Sequence, residues 1–470
     1  MDGYGQLARV ALPALIFTLV VPASVWAQPT DSASQNDSSA IAAASVCGAD
    51  STPLPFAFAD FTWLNGNSRQ HVSVLDTKAF TGEFRADVSY VGDFNRPRDH
   101  TLVGTSESGR TSEFQVQQLG LGGDFHCGHA RGRVMTQFGM YSTMTPRNDA
   151  SPARGQWDLA NAYRYLSEAY GGYHWSKLSG INLDAGIFMS YIGLFSYYNY
   201  DNWAYQPSYV SSNTPWFFNG VRLQVFVNDK LKIEPWLVNG WQSYGMFNGA
   251  PGAGLQVLWR PNGAVSVHSN SYYGHDWLGI PHRARVHFDN SLQVKYYDRP
   301  TKRFDRAAFS LTVDAGCERG GGVQCVSSGP GRPAQNFLGF MFYNRAWFAA
   351  NTVGLTLGGG AMNNPGRYLV LMPPVNGATA FSGTPYFTEN RGDKFSAWDG
   401  SATLDFMPDE FTTFRIEFDH RAASVPYFSG SGGVTPPGGN TGPAGSFIQG
   451  WSPDLRKTES RVNLALLVKM

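Results

Sequence analysis

The chain has 470 residues, with 36 basic and 36 acidic side chains; charged residues make up 15% of it and aromatics 14%. Balanced charge gives no bulk attraction to nucleic acid, and the charged fraction is low for a soluble protein, where about a quarter is usual. Beyond the N-terminus no apolar run approaches the roughly 20 residues of a helical span, which excludes a helical membrane protein.

Arg9, the apolar run Ala11 to Val21 and the Val25-Trp26-Ala27 site read as a signal peptide over residues 1–27, cleaved before Gln28. Residues 28–55 are rich in Ser, Ala, Asp, Gln and Asn and read as a flexible periplasmic lead-in. From residue 56 to 470 a period of two recurs. Phe80, Gly82, Phe84, Ala86, Val88 and Tyr90 oppose Glu83, Arg85 and Asp87. Gly132, Val134, Phe138 and Met140 oppose Arg131, Arg133 and Gln137. Ile181, Leu183, Ala185, Ile187 and Met189 oppose Asn182, Asp184 and Gly186. An aromatic excursion follows, and then strands around Val221 to Val227 and Leu231 to Leu237, joined by Asn228-Asp229-Lys230. Val286 to Tyr296, Phe309 to Val313, Ala349 to Leu357 and Phe414 to Phe418 repeat the alternation. Gly249 to Gly254, Gly320 to Arg332, Met362 to Gly383 and Gly430 to Gly445 read as loops, long for a compact soluble domain.

The last residues alternate again, Val462, Leu464, Leu466, Val468 and Met470 against Arg461, Asn463 and Lys469. A final strand there can pair with the first and remove both sheet edges. The pattern is therefore all-β: a transmembrane antiparallel up-and-down barrel of about 14 strands, with roughly 12–16 admissible. Long loops at one end and tight turns at the other fit that architecture.

Certain motifs carry a resemblance: Gly186-Ile187-Phe188 with Ile192-Gly193, the aromatic excursion to Pro215, Asn219-Gly220-Val221-Arg222, and Pro235-Trp236-Leu237-Val238-Asn239-Gly240-Trp241. In these the chain resembles the OmpL-like β-barrel porins of Gram-negative outer membranes. The resemblance implies porin architecture in the cell outer membrane and supplies no catalytic residues. Outer-membrane barrels commonly end in Phe, and Met470 departs from that habit.

If the apolar parity faces lipid, the polar parity faces a lumen. Glu83, Arg85, Asp87, Asp184, Arg222, Glu234, Arg283, Arg285, His287, Asp289, Lys295, Arg415 and Glu417 are then pore-lining candidates, with Arg283, Arg285 and His287 as an anion-attracting wall. The alternative is that these charges pair and fill a closed lumen. Trp203, Tyr205, Tyr209, Trp216 and Phe217 are expected in an interfacial girdle; the alternative is a loop folded inward, stacking on sugar faces.

Cys317 and Cys325 bracket a Gly-rich loop and are expected to pair; Cys47 and Cys127 are candidates for the other bridge, because sequence alone does not fix connectivity. The spacings lack a metal knuckle, and His126 and His129 beside Cys127 read as a strand-end cluster rather than a metal site. Val267-His268-Ser269-Asn270-Ser271 superficially resembles a phospholipase region, but neighbouring His268 and Ser269 would point to opposite faces of a strand. Glycines 320–322 and 358–360 read as loop and strand-end flexibility. The expectation is passive diffusion of small hydrophilic solutes or ions, without enzyme activity, cofactor or nucleic-acid partner, in contact with outer-membrane lipid and with an oligomer left open. A structural or adhesive barrel with an occluded lumen, or a membrane-embedded hydrolase, are the rival readings.

Overall fold

The computed structural model describes residue 47 and residues 55–470, except 106, 147–148, 150, 152–153, 278, 328, 330–333, 367, 369–394 and 440–448. The signal peptide, the lead-in apart from Cys47 and Pro55, and much of the Met362 to Gly383 and Gly430 to Gly445 loops lie outside the described residues.

The strands are β1 (Phe80–Asp93), β2 (Phe114–Cys127), β3 (Ala130–Thr136), β4 (Leu166–Trp175), β5 (Ile181–Met189), β6 (Phe217–Asn228), β7 (Leu231–Val238), β8 (Gly252–Asn262) and β9 (Val265–Gly274). They continue as β10 (Ala284–Asp298), β11 (Phe304–Arg319), β12 (Asn336–Phe348), β13 (Val353–Asn364), β14 (Phe395–Phe406), β15 (Thr412–Ala423), β16 (Phe428–Ser429), β17 (Leu455–Arg456) and β18 (Thr458–Lys469). All but β16 and β17 form one closed antiparallel barrel of 16 strands, each paired with its neighbour in sequence, and β18 closes the ring between β15 and β1. The closing register sets Val88 opposite Leu466 and Tyr90 opposite Leu464. β16 and β17 make a small separate ribbon.

The alternation shows why these segments become wall strands. On β15, Phe414, Ile416 and Phe418 are exposed outward, while Thr413, Arg415, Glu417, Asp419 and Arg421 are buried inward. Leu464 and Leu466 on β18 and Leu355 and Leu357 on β13 extend the outer apolar face. Such a face is stable only against hydrocarbon, and the closed ring leaves no backbone edge for lipid to strand.

Sixteen strands stand at the top of the expected range of roughly 12–16, two above its centre, and some strands are less plain in the sequence than others. On β12, Leu338, Phe340 and Phe342 point out, but Phe337, Met341, Tyr343 and Trp347 are buried inside, so no polar parity marks it. β8 begins at Gly252, within the stretch read as a loop. Glycines 358–360 lie inside β13 rather than at its end; a Cβ at Gly358 would overlap the Tyr343 ring, so this glycine makes room for an inward aromatic. Ala349 to Asn351 belongs to the turn before β13, all with positive φ, not to the strand.

Two segments enter the ring. Residues 190–216, between β5 and β6, fold into the lumen: Trp203, Tyr205 and Tyr209 are buried there, with Phe217 at the start of β6. The expected interfacial girdle is corrected accordingly, because these rings meet the barrel interior instead of lipid. Residues 56–71 form a strap across the mouth at the end of the short turns. Its backbone and side chains bond in succession to Asp229, Gly263, Gln293, Asp409, Thr412 and Lys469. Strap and inserted segment share one apolar cluster with the wall, including Trp63, Leu64, Leu194, Trp203, Phe337 and Trp347.

Candidate functional site: the lumen and its inserted segment

The inserted segment is held by charges on the wall. Asp87 accepts hydrogen bonds from Asn199 (2.8 Å) and Tyr205 (2.9 Å). Glu417 accepts from the backbone N–H groups of Tyr205 (2.5 Å) and Gln206 (2.7 Å). Asp399 accepts from the Ser208 hydroxyl (2.8 Å) and the Tyr209 N–H (3.0 Å). Arg415 donates to the Asn202 carbonyl (2.6 Å) and is itself clamped by Asp405 (2.6 Å). Arg85 reaches Asp201 at 3.0 Å and also pairs with Glu83. Loop backbone inside a barrel would otherwise leave buried N–H and C=O groups unpaired, so these side chains replace the water it has lost.

Small residues permit the close approach. A Cβ on Gly254 would overlap the Tyr191 hydroxyl, and one on Gly360 would crowd the Ser208 hydroxyl. The strap locks onto the same segment: Asn65 accepts from the Trp203 N–H at 2.8 Å, and Gly66 donates to the Asp201 carbonyl at 3.0 Å.

The other sequence candidates occupy the opposite arc or its ends. Asp184 on β5 is fully buried between Arg222 (3.0 Å) and Arg131 (3.4 Å). Glu234 pairs with Lys232 and accepts from Gln224. Asp289 accepts from Asn270 at 2.9 Å. His287 receives or gives a hydrogen bond to Tyr368 at 2.9 Å, and its other ring nitrogen lies 2.6 Å from Asp314. Lys295 lies near the turn end and pairs with Asp298 at 2.6 Å.

The anticipated Arg283–Arg285–His287 wall does not form as a free basic surface. β10 begins at Ala284, so Arg283 precedes the strand; it donates to the carbonyl of Gly321 at 2.7 Å and stacks over Trp277. Arg285 is neutralised by Glu318 (2.8 Å) and Asp276 (3.4 Å). Sequence reasoning missed the partners that matter here. Arg133 joins Glu83, Asp124 and Glu168 at 2.7–2.9 Å, and Arg345 shares Asp405 with Arg415. Alternation does place these groups inward, but which of them meet depends on the barrel's curvature and on the inserted segment.

A cavity of about 210 Å³ remains between the inserted segment and the wall, lined among others by Tyr141, Tyr191, Tyr197, Trp216, Gln256 and His268. His268 faces this interior, whereas the adjacent Ser269 is exposed on the outer face and bonds Asn290 at 2.7 Å, so the two cannot act as a nucleophile and its base. Both cysteine pairs are bonded: Cys317 with Cys325, and Cys47 with Cys127 at the β2–β3 turn.

A family model described as "Putative beta-barrel porin-2, OmpL-like" matches residues 84–445. The chain belongs to this porin family. This porin is an outer-membrane barrel, and bacterial barrels of this kind generally carry their short turns on the periplasmic side and their long loops outside. Among solved structures it is similar to OmpT, an outer membrane protein of Vibrio cholerae, at 9% identity over 85% of this chain and 100% of that one, with TM-score 0.45. It is also similar to an anion-selective porin from Comamonas acidovorans (9% identity, 83% and 99% covered, TM-score 0.46). A third is the outer membrane channel DcaP of Acinetobacter baumannii (12% identity, 85% and 100% covered, TM-score 0.43). No curated protein matches the chain.

Proposed function

We propose that this porin passes small hydrophilic solutes or ions by passive diffusion, with residues 190–216 as the constriction that sets its size limit. The supporting observation is the inner arc around Asp87, Asp399, Arg415 and Glu417, whose charges are used to hold a loop inside the lumen rather than to bind one another alone. A constriction built on a charged inner wall selects by width and by field. The other candidate residues, from Glu83 and Asp184 to Asp289 and Lys295, line the route on either side of it. No bond is made or broken in this role, and no energy source enters it. The ring closes within one chain through β1 and β18, so the route belongs to a single protomer whether or not copies associate.

A second reading is favoured by a specific observation: Asp184, Glu234, Arg285, His287, Asp289, Arg415 and Glu417 are all buried, as in a filled barrel working through its loops. Planar-bilayer recording of the purified, folded protein beside D87N/E417Q separates the two. Discrete conductance steps in the native protein, enlarged in the variant, support diffusion. Silence from both folded proteins sinks it in favour of the occluded barrel.

A further inference from the structure

Arg260 departs from the charge pairing seen around the lumen. It lies on β8, one inward-facing step nearer the turn end than Leu258, which pairs with His268 on β9. Its residue is 8% exposed, its Nε has no hydrogen-bond partner, and no acidic group lies within ion-pair distance among the described residues. Acids of the neighbourhood are otherwise engaged. Glu234 pairs with Lys232 and Gln224, Asp60 with Thr62 and Arg306, and Asp229 is exposed in the β6–β7 turn. What covers the Arg260 guanidinium is the strap: the rings of Phe56 and Phe61 sit 4.9 and 4.5 Å from it.

A guanidinium without a counter-charge is costly to bury, and two aromatic faces recover part of that cost. Arg is also the side chain best suited to small oxyanions, because it presents a fixed fork of donors. On the lumen side of Arg260 stands His268, which has an unpartnered Nε2 and lines the cavity beside the inserted segment. Lys232 lies across the strand pair, level with Leu258. A path from the cavity toward the periplasm along this arc therefore passes His268, then Arg260, then the strap.

We propose that residues 56–61 of the strap mask an anion site centred on Arg260, flanked by His268 and Lys232, and that lifting the strap opens an anion-preferring exit from the lumen. The ligand class is a small anion, inorganic or carboxylate. The inference rests on the diffusion reading above.

The test is the reversal potential of single channels in a KCl gradient, recorded from full-length protein whose folding is checked by strand content and heat-resistant migration. F56A/F61A removes both rings from the guanidinium and is expected to raise conductance, with the potential displaced toward chloride. Adding R260Q should keep the larger conductance and lower the chloride-to-potassium permeability ratio about thirty-fold, because one unit charge at roughly 4 Å in water favours the anion and disfavours the cation by about five-fold each; adding R260K should keep the ratio. The D87N/E417Q barrel, with its strap intact, serves as the control for the channel itself. If F56A/F61A conducts no better than the native protein while D87N/E417Q shows enlarged steps, the strap is not the mask and the diffusion reading stands. An unchanged ratio with R260Q overturns the anion site. Silence from every folded variant, the control included, overturns the site and the diffusion reading together.

Discussion

Tyr205 donates a 2.9 Å hydrogen bond to Asp87, joining the centre of the inserted segment to the first wall strand across a sequence separation of 118 residues. The same carboxylate takes a second bond from Asn199, so one wall side chain fixes two points of the loop. Asp87→Ala leaves the Tyr205 hydroxyl without its acceptor and Asn199 with only its 3.0 Å bond to the Tyr141 hydroxyl. Each unpaired buried donor costs about 1–3 kcal/mol, enough to loosen the segment without dissolving a barrel held by 16 paired strands. The expected result is faster hydrogen exchange at Asn199 and Tyr205, together with larger and noisier conductance steps. Exchange equal to that of the native protein would show that Asp87 does not hold the loop.

The lipid face makes an opposite kind of prediction. Ile416 is 55% exposed on β15, between Phe414 and Phe418. Ile416→Arg places a charge in hydrocarbon and should destabilise the lipid-folded barrel by about 2–4 kcal/mol if it lies near the midplane. Ile416→Leu should change little. Denaturant titration in vesicles reads both, and a neutral Arg variant would mean that this face does not meet lipid.

How far the sequence carries this picture depends on which face of each strand is considered. β15 and β18 are plain in it, because Phe414, Ile416 and Phe418 alternate with ionisable groups, and Val462 and Leu464 alternate with the polar Arg461 and Asn463. β12 is not, because Trp347, Tyr343, Met341 and Phe337 point inward to meet the strap and the inserted segment, so apolar residues occupy both parities. The inserted segment itself is aromatic-rich in a way that an interfacial girdle would also be. What separates the alternatives is the set of acceptors waiting inside, Asp87, Glu417 and Asp399, from β1, β15 and β14. These are distant in sequence and converge only after closure. Arg285 shows the same limit: its alternation places it inward, but Glu318 and Asp276, which cancel its charge, arrive from β11 and the β9–β10 loop.

The disulfides differ in what they enclose. Cys47 and Cys127 are 80 residues apart in sequence and Cys317 and Cys325 only 8. Loop-closure entropy gives about 4.5 kcal/mol for the first and about 2.5 kcal/mol for the second as upper values. C47S/C127S is therefore expected to lower unfolding free energy more than C317S/C325S, measured by urea titration of the detergent-folded proteins. The reverse order would mean that the short bridge constrains the outer loops more than chain entropy alone predicts.

The outer loops carry a pH-sensitive contact. Asp99, in the loop after β1, accepts hydrogen bonds from the N–H groups of Val434 (2.8 Å) and Thr435 (2.6 Å). Burial pushes its carboxyl up, but the bonds from Thr435, Val434 and Thr101 outweigh it and hold the group below the usual carboxylate range. A carboxyl depressed in the folded state adds stability above its unfolded value, about 3.9, and loses it as pH falls through the folded value. The tie between residues 99 and 434–435 should thus hold at neutral pH and release only in acid, below about pH 4. Limited proteolysis with an acid-active protease, followed across pH 6 to 2, should show cleavage near residue 434 appearing in acid; D99N should show it throughout. Acid cleavage at the same pH in both proteins would remove Asp99 from this role, since a carboxamide has no proton to gain over that range and keeps only a weaker neutral acceptor for the two N–H groups.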